Sequence, residues 1–489
     1  MTQPAWMETI FDRTPNLSTT GPVDPVVYDG SAAALRQRTV NFAAKRYADM
    51  MFVSGLDRAT ADRNFRLRAA QLPSGLSAHT TGHSIQAQAG ADFAAGRFLI
   101  ETDAADRRAT VRWGETVGHA LARPGFGSIL LGPHAAPAFD TAPIVRPVPD
   151  VGKAWPRGDA VEASQVPSAL ADALDAFFAS STGVYGVLIA SPDRVLTERY
   201  SAFGRPDRAT PSWSMTKAIT STVIGRLVHQ GWLRSMHDPA PAPLWSDPRD
   251  IHRLITLDHL VRMRSGLGFP VRHEDGSTHI GFENSGVYQD AGDAFAAAQR
   301  SMVATIPGSA FRYVNSGMNV LGAIIRDQIQ RRGLPYYETA YGLLVDRLGM
   351  SSYQHSADIA GNLIASGAGY ATLRDYAKLG VLYLNDGVWN GERLLPEGWV
   401  DYALTPSHTG TNYAACFRSN IGGGFPDLPR DTAWASGASD QKLFILRGQR
   451  LTVAVSNETD HAMDMKTLNR LIATAINCAD SSSGANTPG

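Results

Sequence analysis

Strand-like segments stand near residues 184–203 and again near 442–457 of this chain, and helical patterns dominate the long interval between them. The runs "GVYGVLIAS" and "RVLTERYSAF", joined at Pro192-Asp193, read as one hairpin, and "KLFILRG" with "RLTVAVSN" as another. The stretch "LADALDAFFASS" before the first hairpin and "MDMKTLNRLIATAIN" after the second have helical periodicity. Sheet pieces at both ends of a helical middle point to one antiparallel sheet assembled from distant segments. The predicted class is α+β, an antiparallel sheet flanked by helices. Its strands come from 180–210 and 430–478, and an all-helical domain, about 213–350, is inserted between them.

Residues 146–168, "RPVPDVGKAWPRGDAVEASQVPS", are rich in Pro, Gly and small polar residues and mark a boundary. Residues 1–150 are accordingly read as an N-terminal extension packed on the catalytic domain, 151–478 as that domain, and 479–489 as a disordered tail. Within the extension "AAALRQRTVNFAAKRYADMMF" reads as a helix and "RFLIETDAADRRATVRWG" as a hairpin. His79 and His83 in "HTTGH" have helical metal-ligand spacing, but the Thr-Thr-Gly between them predicts a loop. His273, Glu274, Asp275 and His279 in "RHEDGSTH" read as a solvated loop for the same reason. No metal site is expected.

A formal net charge of −1 over 489 residues makes a nucleic-acid partner a poor expectation. Cys416 and Cys478 are the two cysteines, too few for a disulfide framework or a cysteine-built zinc site. The first residues have no basic flank leading into an apolar segment, and no apolar run reaches membrane-spanning length. A soluble cytoplasmic protein without a membrane partner is expected.

The chemistry concentrates in "PSWSMTKAITSTVIG". Apolar residues at Met215, Ile219, Val223, Ile224, Leu227 and Val228 keep a 3.6-residue period, which puts Ser214 and Lys217 on one helical face, one turn apart. A serine hydroxyl is a weak nucleophile that needs an adjacent base, and lysine serves as that base where burial disfavours its charge. The alternative is an N-cap serine followed by a solvated lysine, although a cation in the first turn opposes the helix dipole. A second Ser-x-x-Lys, Ser439 to Lys442, opens a predicted strand, where residues three apart point to opposite faces. The spacing carries meaning only on a helix. No Gly-x-Ser-x-Gly occurs, so a Ser-His-Asp hydrolase elbow is set aside.

"SWSMTKAITSTVIG" resembles the Ser-x-x-Lys motif of the serine β-lactamase and penicillin-binding superfamily. "PGSAFRYVNSGMNVLG" supplies Tyr313-Val-Asn315 where that superfamily has Tyr-x-Asn. Further stretches, "ITLDHLVRMRSGLGF", "YATLRDYAKLGVLYLNDGVWNGERLLPEGWV" and "ASGASDQKLFILRGQRLTVAVSN", are similar to the branch with 6-aminohexanoate-dimer hydrolase and family VIII carboxylesterases. The resemblance implies a cofactor-free mechanism in which Ser214 attacks, Lys217 takes its proton and Tyr313 relays it to the leaving group. It further implies an oxyanion hole from the backbone N–H groups of Ser214 and Ala438. Asn315, Gly437 and Tyr288 follow as substrate-binding residues, Tyr288 by its place in "VYQDAGDAF".

The chain departs from that pattern at Ala435-Ser436-Gly437, where lactam-processing relatives carry Lys-Thr-Gly or His-x-Gly. A missing cation removes a grip on a substrate carboxylate. The expected activity is therefore hydrolysis of small esters or linear amides through an acyl-enzyme. The alternatives are a β-lactamase or D-Ala-D-Ala peptidase-like enzyme, and a non-catalytic binding protein of the same fold.

Overall fold

Six antiparallel strands form the central sheet, in the spatial order Arg418–Ser419, Ala433–Ser436, Lys442–Leu446, Leu451–Asn457, Val184–Ala190 and Val195–Tyr200. The computed structural model describes residues 25–65, 80–147, 152–161, 165–281, 285–406, 411–457 and 463–484. Alternate residues of each strand face opposite layers. Val187 and Ile189 pack with Leu174 and Phe177 of helix Ser168–Ser180 and with Leu468 and Ile472 of helix Met465–Gly484. Leu188 and Ala190 face the other way, into the core shared with Ile219, Leu379 and Leu382. Both sheet faces are thus covered, which explains why "VYGVLIA" and "LTVAVSN" are almost continuously apolar.

The interval between the sheet segments holds helices Thr216–His229, Asn315–Gln330 and Leu373–Leu384, so the α+β class and the inserted helical part are both present. Thr372 starts the last of these by accepting the Asp375 N–H at 3.2 Å, an N-cap that satisfies an otherwise orphaned donor. The interval is not purely helical. Leu267–Arg272 pairs with Thr278–Gly281, with Met302–Val303 and, in parallel, with Tyr28–Asp29 from the N-terminal part.

In that N-terminal part Ser31 caps helix Ala32–Ala48, which packs on a four-stranded antiparallel meander, Phe98–Asp103, Arg108–Trp113, Thr116–Arg123 and Gly127–Gly132. The expected hairpin is its first half. A buried polar knot ties the helix inward: Lys45 Nζ donates to Ser128 Oγ at 2.6 Å and to Ser356 Oγ at 3.2 Å, and pairs with Asp49 at 3.2 Å. Burial lowers the Lys45 pKa, and Asp49 opposes that shift. Nearer the site, Arg38 pairs with Asp290 at 2.7 Å and Asn41 Nδ2 donates to the Gln289 carbonyl at 2.7 Å. Both bonds hold the segment that carries Tyr288.

Three local expectations change. His83 lies in helix Thr80–Ala94, because the apolar spacing after it outweighs Gly82 and Gly90; His79 is outside the described residues. Among the described residues no cluster of His, Cys, Asp or Glu could hold a metal. His273 is buried, not solvated: its ring stacks on His279 with centroids 4.9 Å apart, while Glu274 accepts the Ala32 N–H at 2.8 Å. The closing helix runs on to Gly484, six residues into the stretch read as a tail, since no glycine or proline interrupts it earlier. No helix among the described residues is long and apolar enough to cross a membrane.

Candidate active site

The turn that presents Ser214 is strapped from below. Strand Thr210–Pro211 pairs with Gly369–Ala371, and the Ser212 N–H and Oγ both donate to the Gly369 carbonyl, at 2.8 and 2.9 Å. Gly369 N–H in turn donates to Thr216 Oγ1 at 3.0 Å. Residue 369 must be glycine here, since a Cβ would lie 2.8 Å from Thr216 Oγ1 and 2.9 Å from the Tyr353 hydroxyl. The chain then passes through Trp213 at φ +45°, a left-handed conformation that is unfavourable for a bulky side chain. Ser214 follows in a 3₁₀ turn, Trp213–Met215, that leads into helix Thr216–His229. The nucleophile candidate thus sits at the helix head and not inside a regular helix, and Lys217 lies in the first full turn.

Lys217 is buried to 1 % exposure and donates from Nζ to Ser214 Oγ at 2.8 Å and to the Ser366 carbonyl at 2.5 Å. The first-turn lysine is therefore not the solvated residue of the bland alternative. Its Nζ also lies 4.9 Å from the centroid of the Tyr313 ring, just ahead of helix Asn315–Gln330. Tyr313 meets Tyr413 edge to face, with centroids 5.9 Å apart. Asn315 opens the helix as a buried residue.

The opposite wall is the end of strand Ala433–Ser436 and the turn after it. Gly437 presses on the nucleophile turn so closely that a Cβ would lie 2.1 Å from the Ser212 carbonyl oxygen. Its N–H donates to the Gln441 carbonyl at 2.9 Å, across a turn in which Ser439 and Asp440 both have positive φ. The second Ser-x-x-Lys therefore does not lie within a strand as expected: Ser439 is in the turn, and the strand starts only at Lys442. Neither the Ser214 nor the Ala438 N–H has a hydrogen-bond partner among the described residues, and both residues line one cavity of about 260 Å³. This is just below the ~300–1,000 Å³ of pockets that enclose drug-sized ligands, so it suits a small substrate.

Tyr413, Cys416, Arg418 and Ser436 complete the cavity wall, and sequence reasoning assigned none of them a role. Burial raises the Tyr413 phenol well above its ordinary range and pushes the Cys416 thiol up to about 12, so both are neutral. Arg418 changes the expectation of an uncharged pocket. Ala435 is fully buried in the core, as its small apolar side chain dictates, but a cation reaches the cavity from the neighbouring strand.

Tyr288 is not in the cavity wall. It packs behind Lys217, edge to face on Trp213 with centroids 5.9 Å apart, and its hydroxyl lies 3.2 Å from Ser366 Oγ. Trp213 is also stacked by Phe42, centroids 6.5 Å apart, and covered by the Arg46 guanidinium at 5.1 Å. Helix Ala32–Ala48 of the N-terminal part therefore touches the residue that precedes Ser214.

The strand order, the inserted helices and a Ser-Lys pair at the head of one of them define a β-lactamase-type fold. A family model described as Beta-lactamase matches residues 183–476, and the chain belongs to that family of serine hydrolases. It is 24 % identical over 299 residues to a 6-aminohexanoate-dimer hydrolase of Paenarthrobacter ureafaciens, covering 59 % of this chain and 74 % of that protein. Among solved structures it resembles a 6-aminohexanoate-dimer hydrolase homologue from Bacillus anthracis, with a TM-score of 0.51 and 17 % identity, over 63 % of this chain and 82 % of the other. A penicillin-binding protein homologue from Caulobacter crescentus aligns with a TM-score of 0.48 and 18 % identity, over 65 % and 99 % of the two chains.

Proposed function

We propose that this protein hydrolyses small esters or linear amides through an acyl-enzyme on Ser214. The observation that carries the reading is the 2.8 Å contact between a buried Lys217 Nζ and Ser214 Oγ, at the edge of a cavity open to substrate. Ser214 Oγ bonds to the acyl carbon as its proton passes to Lys217, and the carbonyl oxygen takes the negative charge between the N–H groups of Ser214 and Ala438. Collapse of this intermediate breaks the bond to the leaving group, which departs with a proton delivered through the Tyr313 phenol. Water then attacks the acyl carbon as Lys217 accepts its proton, the bond to Ser214 Oγ breaks, and Lys217 returns the proton to Oγ as the acid leaves. Asn315 and Gly437 serve the site by position, at the start of the Tyr313 helix and against Ser212.

The substrate named for the Paenarthrobacter relative, a dimer of 6-aminohexanoate, supports linear amides as one class. The cavity size supports small acyl groups in either class. Lys217→Arg tests the base. Guanidinium keeps the charge but cannot give up its proton, so turnover of 4-nitrophenyl acetate should fall to near the background rate in a folded protein. Near-normal turnover in that variant would refute the role given to Lys217.

A further inference from the structure

Gln441 is fully buried beside the turn that carries Ala438, and its side-chain amide has a partner for every polar group it offers. Oε1 accepts from Ser456 Oγ at 2.7 Å and from the Asn457 N–H at 3.2 Å, both at the end of the adjacent strand Leu451–Asn457. Nε2 donates to the Ser439 carbonyl at 3.3 Å and to the Asn457 carbonyl. A carboxamide has two N–H donors on one atom and two lone pairs on the other, so all four are used. A flipped amide would set its oxygen against two carbonyls. The backbone carbonyl of the same residue accepts the Gly437 N–H at 2.9 Å. Ala438 is therefore pinned on both sides by one residue, at Gly437 through the Gln441 carbonyl and at Ser439 through Gln441 Nε2. Pinning is needed, because Ser439 and Asp440 stand at φ +56° and +60°, left-handed conformations that residues other than glycine keep only where their surroundings hold them.

We propose that Gln441 is a positioning residue for the reaction: it aims the Ala438 N–H into the Ser214 cavity, so that this donor is in place before the carbonyl oxygen acquires charge. This role rests on the Ser214 reading above. An oxyanion donor lowers the barrier only when it already points at the place the oxygen will occupy, and a turn with two left-handed residues has no intrinsic tendency to keep that aim. The anchor is the central sheet. Ser456 and Asn457 end a strand that is paired on both sides, with Lys442–Leu446 and with Val184–Ala190, so the amide ties a turn at the rim of the sheet to its interior. Gln441 does not line the cavity, which separates its role from that of a substrate contact.

The test separates aim from stability. Gln441→Met keeps the length of the side chain and removes both halves of the amide, whereas Ser456→Ala removes one bond from Oε1 and leaves both Nε2 donations in place. Both should lower the thermal midpoint. Gln441→Met alone should lower kcat/KM for 4-nitrophenyl acetate, about ten- to a hundredfold, a smaller loss than the ~10²–10³-fold of a deleted oxyanion donor, with Ser456→Ala within threefold of the parent. Phenylboronic acid, whose serine adduct places an oxygen where the oxyanion forms, should have its inhibition constant raised by the same factor in Gln441→Met. Activity that falls alike in both variants, or a folded Gln441→Met within threefold of the parent, overturns the proposal. One readout does not depend on turnover. In a Ser214→Ala background, hydrogen–deuterium exchange at the Gly437 amide should be about tenfold faster or more with Gln441→Met, because the turn that closes on the Gln441 carbonyl is no longer held. Equal exchange rates there would count against Gln441 even if the parent hydrolyses no ester. Faster exchange beside a parent without Ser214-dependent turnover would uphold the grip of Gln441 on the turn and refute the Ser214 reading instead.

Discussion

Gly437→Ala should cut catalysis while leaving the protein folded, because the added methyl enters the contact that spaces the proposed oxyanion donors. An ideal Cβ at this position lies 2.1 Å from the Ser212 carbonyl oxygen and 3.2 Å from Gln441 Cβ, whereas ordinary contacts begin near 3.4 Å. The first contact is with backbone, and Ser212 is held by two hydrogen bonds to the Gly369 carbonyl, so no rotamer change relieves the clash. The strand end and the nucleophile turn must separate by more than an ångström, which moves the Ala438 N–H away from the Ser214 N–H. Misplacement on that scale costs about a hundredfold in rate, or ~2.7 kcal/mol of transition-state stabilisation. Overpacking of this kind costs ~1–3 kcal/mol in stability, which a hydrolase core of this size can absorb. The assay is kcat/KM for 4-nitrophenyl acetate beside a thermal melt. Gly448→Ala serves as control, since nothing lies within 4 Å of a Cβ there. If Gly437→Ala kept kcat/KM within threefold of the parent while remaining folded, the close approach of Gly437 to Ser212 would have no bearing on the reaction.

Further outcomes follow from the same geometry. Tyr313→Phe should slow anilide cleavage more than 4-nitrophenyl ester cleavage, because nitrophenolate leaves without a proton; equal losses in kcat/KM would assign Tyr313 to the attack step. Arg46→Ala removes a cation from the face of Trp213, a contact worth ~0.5–2 kcal/mol, and should lower kcat severalfold with little change in KM, although Arg46 does not line the cavity. An unchanged kcat would show that the N-terminal helix does not support the Ser214 turn. His355 accepts no charge readily in the fold: burial lowers its pKa to about 4, with Nε2 2.7 Å from the Ile364 carbonyl. The unfolded chain, with an imidazole near 6.5, binds more protons between these values. Stability should therefore fall as pH drops from about 6.5 toward 4, by at most ~3 kcal/mol from this residue, and urea melts of His355→Gln should show a shallower fall. An identical pH dependence in the variant would exclude His355 as the cause.

The sheet and the main helices were legible because their apolar periods are long and local. The Ser214–Lys217 pair was legible as a pair for the same reason, since it sits at the head of a helix whose buried face repeats every three to four residues, whereas Tyr313 was singled out only by the resemblance of Tyr313-Val-Asn315 to a family motif. Other features were not, and the causes differ. Arg418 belongs to a strand of two residues with no periodicity, and it reaches the cavity only because that strand pairs with Ala433–Ser436 across an intervening loop. Tyr288 was read as a substrate contact from its loop; its actual neighbours, Trp213 and Ser366, are about 75 residues away on either side, so its place depends on tertiary packing. The left-handed Trp213 runs against local propensity and is held by Phe42, Arg46 and Tyr288, none of which is near it in sequence. The strands Thr116–Arg123 and Gly127–Gly132 complete a meander of which only the first hairpin had a clear alternating pattern.

The most direct test of the account is to locate the covalent adduct. The protein is treated with a fluorophosphonate, digested and mapped by mass spectrometry, with Ser214→Ala treated in parallel. The account predicts one adduct, on Ser214, absent from the variant, together with loss of ester turnover in both the labelled protein and Ser214→Ala. An adduct on Ser439 or any other serine, or a Ser214→Ala protein that still hydrolyses 4-nitrophenyl acetate at the parent rate, would contradict it.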